Sequence, residues 1–399
     1  MRRRAGSLSV AALVFGAALL AGCATTGPSA PAATSEAGST PSPTPTPTPP
    51  TPAEWAADRV AAMTDEERAA SLLMLHAPGT DPDAMRALLD QGIAGVILMG
   101  DNIPGSEAEL AALTGALQDD PEAATLIGID QEGGIVSRIA WDPAPAPYDL
   151  RDGPASATRE AYAARAAALA ASGVNINFGI VADVTDDAGS FIYDRVLGTT
   201  PQSSAEHVAA AVDGERGTVA STVKHFPGHG AAPGDSHVSV PSAPLTLDEW
   251  RAGPALPFAA AIDADVELVM TGHLSYPAVD DAPASLSAAW HDVLRDELGF
   301  EGVLVTDDML MLQHNGLAEY ADPGENAIRA VAAGSDLLLY VLPADPSEFG
   351  ISVEGLAASI AGAVADGRIP SDRLEEAAIR VLELRRTIAS AHGEAALRE

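Results

Sequence analysis

Gly302-Val303-Leu304-Val305-Thr306-Asp307 is an aliphatic run with no polar alternation that ends on a carboxylate. A strand with one wet face alternates apolar and polar residues, whereas an unbroken run suits a parallel strand covered on both sides. Seven further runs share this character, at 72–75, 95–99, 125–130, 176–184, 222–226, 268–273 and 336–341. Alanine-rich stretches compatible with helix, such as 159–172 and 205–213, lie between most of them, and an amphipathic helix fits 371–389. Eight buried strands alternating with helices predict an α/β protein with a (β/α)8 TIM-like barrel and a single catalytic domain. A doubly wound open sheet is the alternative. No Gly-x-Gly-x-x-Gly follows a strand, which argues against a dinucleotide site.

Acids outnumber bases 56 to 22, for a net charge of −34 over 399 residues. Such a surface repels nucleic acid and anionic lipid, and no Lys/Arg cluster occurs beyond residue 4, so nucleic-acid binding is excluded. Cys23 is the one cysteine, so no intramolecular disulfide can form. Arg2, Arg3 and Arg4 precede an apolar stretch at 8–20, then Leu20-Ala21-Gly22-Cys23. This is the layout of a secretory signal, and its last four residues resemble the bacterial lipobox. That resemblance implies cleavage before Cys23, lipidation of its sulfur and a place on the extracytoplasmic face of the cell membrane. A plain signal peptide or an N-terminal anchor is the alternative. The expected organisation is a lipoprotein signal peptide at 1–22, a Pro/Thr-rich linker at 23–52 and a catalytic domain at 53–399. The linker's Thr-Pro repeats favour extended polyproline II and cannot bury a core.

A parallel barrel builds its active site at the C-terminal ends of its strands. Asp130 ends the third run, Asp183 lies near the end of the fourth and Lys224 and His225 fall in the fifth. His273 ends the sixth, and Asp307 and Asp308 end the seventh. Any one of these could be a cap or a turn residue, but so many strands ending this way imply a polar pocket. The segment Lys224-His225-Phe226-Pro227-Gly228-His229-Gly230 runs on to Asp235-Ser236-His237 through a glycine- and proline-rich loop. Its three histidines could bind metal. The Asp235-x-His237 spacing instead suggests a carboxylate that accepts a ring N–H and orients the imidazole for general acid/base work. Asp307 could then act as nucleophile toward an anomeric carbon, and Asp308 suits a capping role.

From about Met63 to Leu384 the chain resembles the bacterial β-N-acetylhexosaminidases of glycoside hydrolase family 3. The most specific match is Lys-His-Phe-Pro-Gly-His-Gly…Asp-Ser-His at 224–237. Asp130-Gln131-Glu132-Gly133-Gly134 with Arg138, Asn175-Ile176-Asn177-Phe178 and Asp194-Arg195 also match. So do Thr271-Gly272-His273-Leu274-Ser275-Tyr276-Pro277, Pro283-Ala284-Ser285-Leu286-Ser287 and Thr306-Asp307-Asp308. The resemblance implies Asp307 as the nucleophile and His237, paired with Asp235, as the acid/base. Asp130, Arg195, Lys224 and His225 would hold the sugar hydroxyls, with Arg138 supporting Asp130.

The implied activity is retaining, exo-acting removal of N-acetylglucosamine from muropeptides or chitooligosaccharides, by a monomer without metal or organic cofactor. A family-3 β-glucosidase or β-xylosidase, an N-acetylglucosaminide phosphorylase and a sugar-binding lipoprotein are the alternatives. Two departures from the family pattern stand out. Ala231 and Ala232 replace the usual Asp-Thr, which leaves the closure of that loop open, and Phe191-Ile192-Tyr193 replaces small residues. The second domain that carries the acid/base glutamate in many β-glucosidases is expected to be absent.

Overall fold

Every strand of the barrel is short and wholly buried, as the aliphatic runs require. The computed structural model describes Gly27 and residues 50–396, with side chains as far as Ala391. The expected signal peptide 1–22, Cys23 and nearly all of the linker 23–52 lie outside the described residues. The strands are β1 (Leu73–Leu75), β2 (Gly95–Leu98), β3 (Leu126–Ile129), β4 (Ile176–Val181), β5 (Ala220–Phe226), β6 (Leu268–Thr271), β7 (Val303–Thr306) and β8 (Leu338–Tyr340). Each of β1 to β6 pairs in parallel with the next in sequence, and β1 also pairs with β8. A Val305–Leu337 bridge, with Thr306 N–H donating to the Leu337 carbonyl at 3.0 Å, joins β7 to the approach of β8. The ring closes, so the open-sheet alternative falls. A sheet in sequential order has no reversal point to open a crevice.

The interior is packed rather than hollow. Phe178 of β4 and Met74 of β1 fill it against Gly128 of β3, where an added Cβ would lie 2.4 Å from the Phe178 ring. The glycine is needed there for close approach. Burying a side chain of this size contributes roughly 1.5–3 kcal/mol.

The helices start where local chemistry dictates. Thr51 with Glu54, Thr64 with Glu67 and Thr246 with Glu249 each form a reciprocal cap, satisfying two free amides at a helix start. The long helices Ala155–Ala171 and Pro201–Glu215 pack on the outside of the barrel beside β4 and β5. The last helix, Ser371–Ala396, lays Leu374, Ala377, Val381 and Leu382 into the core. It also packs on the first helix, Pro52–Ala61, where Trp55 sits under the guanidinium groups of Arg59 and Arg386.

Just before β8, Asp336 is fully buried. Its carboxylate takes hydrogen bonds from Arg295 (2.6 Å), Arg373, Arg380 (3.3 Å) and the Leu304 amide (2.9 Å). It pins the last helix and the segment before β7 to the N-terminal face of the barrel, the face that carries stability rather than chemistry.

Candidate active site

The opposite face gathers the charged residues. β3 ends into Asp130-Gln131-Glu132, and Gln131 sets how its neighbours are presented. The Gln131 backbone is clasped on both its N–H and its carbonyl by the Asn177 amide of β4, each at 3.2 Å. Its side-chain oxygen accepts from the amides of Arg138 (2.8 Å) and Ile139 (3.1 Å), and its amide donates to Ser137 and Asp142. This folds the following loop back, so that Arg138 returns to within 3.6 Å of Asp130.

Lys224 of β5 points its ammonium between two carboxylates, 2.7 Å from Asp130 and 2.8 Å from Glu132. Arg195 grips Glu132 with two parallel hydrogen bonds of 2.8 and 2.7 Å. Burial would raise both acids, but Lys224 acting together with Arg138 and Arg195 at Asp130, and with Arg195 at Glu132, outweighs it. Both carboxyls therefore sit below their ordinary range. Burial would lower Lys224, yet the two carboxylates more than offset this and hold it charged.

Asp183, just beyond β4, is fully buried. It accepts from the ring Nδ1 of His225 (2.7 Å) and from the His229 backbone amide. Burial pushes its carboxyl up to about 6, so it is mostly ionised at neutral pH. Burial, then Arg195, keeps His225 well below the ordinary histidine range. His225 is therefore neutral, donates through Nδ1 and keeps Nε2 as an acceptor.

Asp307 leaves β7 with its N–H on the Thr271 carbonyl (2.9 Å) and its carboxylate on the Asp308 amide (2.8 Å). Burial raises it, but the adjacent His225 and His273 rings, the Asp308 amide and the Lys224 ammonium together outweigh burial and hold it below its ordinary range, so it stays ionised. Asp308, which also lines the cavity, accepts from the amides of Leu310 (3.0 Å) and Val341 (2.9 Å); the cap position of the next helix falls instead on Met309, which offers no side-chain cap. His273 faces the Asp308 carbonyl at 2.9 Å and Ser285 Oγ at 2.7 Å. The carbonyl can only accept, so the His273 proton is on Nε2 and the ring braces the turn behind Asp307.

The loop after β5 is anchored at both ends. The Trp250 indole donates to the Pro227 carbonyl (2.7 Å) and the Tyr276 hydroxyl to that of Gly228 (2.6 Å). Gly230 passes so near Val184 that a Cβ would lie 2.1 Å from its carbonyl oxygen. Downstream, Ala243 N–H donates to the Ser275 carbonyl and Ser275 N–H to that of Pro241. Ala232, where the family has a polar residue, is buried in the cluster around Trp250, so apolar packing holds this stretch. Between the anchors, Asp235 accepts from the His237 amide (3.0 Å) and ring Nδ1 (2.6 Å). The His237 side chain is 63% exposed.

These groups surround a cavity of about 290 Å³. Asp130, Arg138, Arg195, Lys224, His225, His237 and Asp307 all line it. Asp235 stands behind His237 in an adjoining groove of about 460 Å³. The three histidines of the loop do not share a centre: His225 pairs with Asp183, His237 with Asp235, and His229 packs edge-on to Phe191. Among the described residues, no group of three or more His, Cys, Asp or Glu side chains is placed to hold a metal ion. From sequence, Glu132 has no role of its own, Asp183 is a pocket residue without a partner, His229 is one of three histidines that could bind metal, and Phe191 is a departure from the family pattern. The alternation of Asp130 and Glu132 about Gln131 was the available signal for the first.

Residues 64–384 match the sequence profile of the glycosyl hydrolase family 3 N terminal domain. The chain belongs to glycosyl hydrolase family 3. It is accordingly a glycoside hydrolase, acting on O-glycosyl bonds. A β-hexosaminidase of Xanthomonas oryzae pv. oryzae is 33% identical over 322 residues, covering 76% of this chain and 94% of its own. A family 3 β-N-acetylglucosaminidase from a Paenibacillus species superposes with a TM-score of 0.74 at 32% identity, over 82% of this chain; the family 3 chain described here spans 63% of that larger protein. A β-N-acetylhexosaminidase of Beutenbergia cavernae superposes with a TM-score of 0.67 at 29% identity, over 81% of this chain and 98% of its own.

Lys224→Met leaves Asp130 and Glu132 buried without the cation between them. Breaking a buried pair in this way costs roughly 3–5 kcal/mol. Stability from the two lowered carboxyls is present above the ordinary carboxylate range, near 4, and is lost as pH falls through their lower folded values. The gap between parent and variant in urea denaturation should therefore be widest at pH 7 and narrow below about pH 4. A gap independent of pH would contradict the assignment.

Proposed function

We propose that the cavity holds the terminal N-acetylhexosamine of a small oligosaccharide and that the enzyme is an exo-acting, retaining β-N-acetylhexosaminidase. The observation that carries this is the meeting, in one cavity, of an ionised carboxylate at a strand end, Asp307, with a histidine oriented by its own carboxylate, His237 with Asp235. The similarity to β-hexosaminidases and to the two solved enzymes supports the choice of sugar.

In the first step a carboxylate oxygen of Asp307 bonds to C1, and the bond from C1 to the leaving oxygen breaks. The cationic form of His237 gives its Nε2 proton to that oxygen, while Asp235 stabilises the ring through Nδ1. In the second step neutral His237 takes a proton from water, the water oxygen attacks C1, and Asp307 departs as a carboxylate. Two inversions at C1 give net retention. Asp130, Lys224 and the free Nε2 of His225 would hold hydroxyls. Arg195 has its Nε and one terminal amino group committed to Glu132, so it would contribute through the remaining one.

The tests are separable. Asp307→Ala and His237→Ala should abolish or sharply lower hydrolysis of p-nitrophenyl N-acetyl-β-glucosaminide, with His237→Ala losing about 10²–10⁴ in kcat on an unactivated leaving group. The parent should prefer this substrate over the glucoside and the xyloside, in phosphate buffer as in phosphate-free buffer. Full activity in both variants would sink the assignment, and sugar 1-phosphate as the main product would mark a phosphorylase.

Residues 1–23 support an enzyme anchored by lipid on Cys23 at the outer face of the cell membrane, where it would act on muropeptides or chitooligosaccharides. The parent expressed in a bacterium should partition with membranes, and Cys23→Ser should release it or leave it unprocessed. Equal partition and equal mass of the two would overturn the lipid anchor.

A further inference from the structure

Buried polar atoms need partners, and one left without a partner beside a cavity can find it in a bound ligand. Among the described residues, the buried side-chain polar atoms that lack any partner include Arg138 Nε and both ring nitrogens of His229. These two residues alone from that set also line the catalytic cavity. Arg138 already belongs to the charged cluster. His229 does not.

His229 is 1% exposed and its position is imposed by the chain around it. Its backbone N–H is tied to the buried Asp183 carboxylate. Gly230, next in the chain, is locked against the Val184 backbone. The Phe191 ring stands edge-on to it with centroids 4.8 Å apart, and the His225 ring stands on another side at 6.0 Å. An imidazole held at this site for packing alone would leave two polar atoms dry, and an apolar side chain would serve better.

We propose that His229 is a substrate-binding residue whose ring exchanges hydrogen bonds with a polar group of the sugar in the cavity. An imidazole presents one donor and one acceptor when neutral, which matches a sugar hydroxyl that both gives and takes a hydrogen bond. Phe191 walls the same site and also lines the adjoining groove that holds Asp235, so it sets where the sugar ends and the leaving group begins. The proposal rests on the reading of the cavity as an N-acetylhexosamine site.

The experiment compares the parent with His229→Leu and His229→Gln on p-nitrophenyl N-acetyl-β-glucosaminide, with N-acetylglucosamine as competitive inhibitor and melting temperature as a check on folding. His229→Leu should raise KM and weaken inhibition by N-acetylglucosamine about tenfold while its melting temperature holds or rises. His229→Gln keeps a donor and an acceptor and should recover part of the affinity. In the parent labelled with ¹⁵N-histidine, N-acetylglucosamine should shift the His229 ring nitrogens, a readout that does not depend on either variant folding. An active parent with unchanged KM and inhibition in His229→Leu, or ring nitrogens unmoved by bound sugar, overturns the role of His229 alone. A parent that neither binds N-acetylglucosamine nor cleaves its glycoside overturns this proposal and the functional reading together.

Discussion

The active face depends on one ion cluster: the Lys224 ammonium, buried between Asp130 and Glu132, with Arg195 and Arg138 closing it from outside. Two acids cannot stay ionised side by side in a dry site without compensating charge. Three cations against two carboxylates supply it and leave a positive surplus. That surplus helps to hold Asp307 ionised and His225 neutral, because Lys224 acts on both and Arg195 on His225. Removing Lys224 would therefore disturb the charge of groups that it does not touch.

The barrel makes such a cluster affordable. Lys224 and Glu132 come from strand ends whose backbones are fixed by the sheet and by the Gln131–Asn177 clasp. Groups held by rigid elements lose little freedom on binding, and their dipoles need not reorganise during the reaction. The general acid is treated differently. His237 sits on the free span between two anchored ends of its loop, largely exposed and in contact with its own carboxylate. The geometry thus separates a buried floor that would hold the sugar from an exposed rim that would exchange protons with water.

All eight strands were legible because barrel strands are buried on both faces and read as unbroken aliphatic runs. Most runs overshoot their strands, whereas β5 begins at Ala220, two residues before the run at 222–226. The run 176–184 becomes Ile176–Val181, since Asp183 is not sheet but a buried acceptor for the next strand's loop. The run 336–341 becomes Leu338–Tyr340, since Asp336 is a clamp for three arginines. The candidate site residues were legible from their spacing and from family resemblance, and the fold brings seven of the eight to one cavity, with Asp235 immediately behind. The roles of Glu132 and Asp183 were not legible, because their partners lie 63 and 42 residues away. His229 escaped because an atom without a partner has no signature in sequence. The lipobox is the reverse case, carried by sequence alone.

The account turns on Asp307 forming a bond to the sugar. The direct measurement is to trap that species with a 5-fluoro N-acetylglucosaminyl fluoride and locate the label by peptide mass spectrometry. The account predicts one sugar per chain, attached to the peptide that contains Asp307, forming as activity is lost. A label on another carboxylate, or turnover that inverts the anomeric centre with no trapped species, would contradict it.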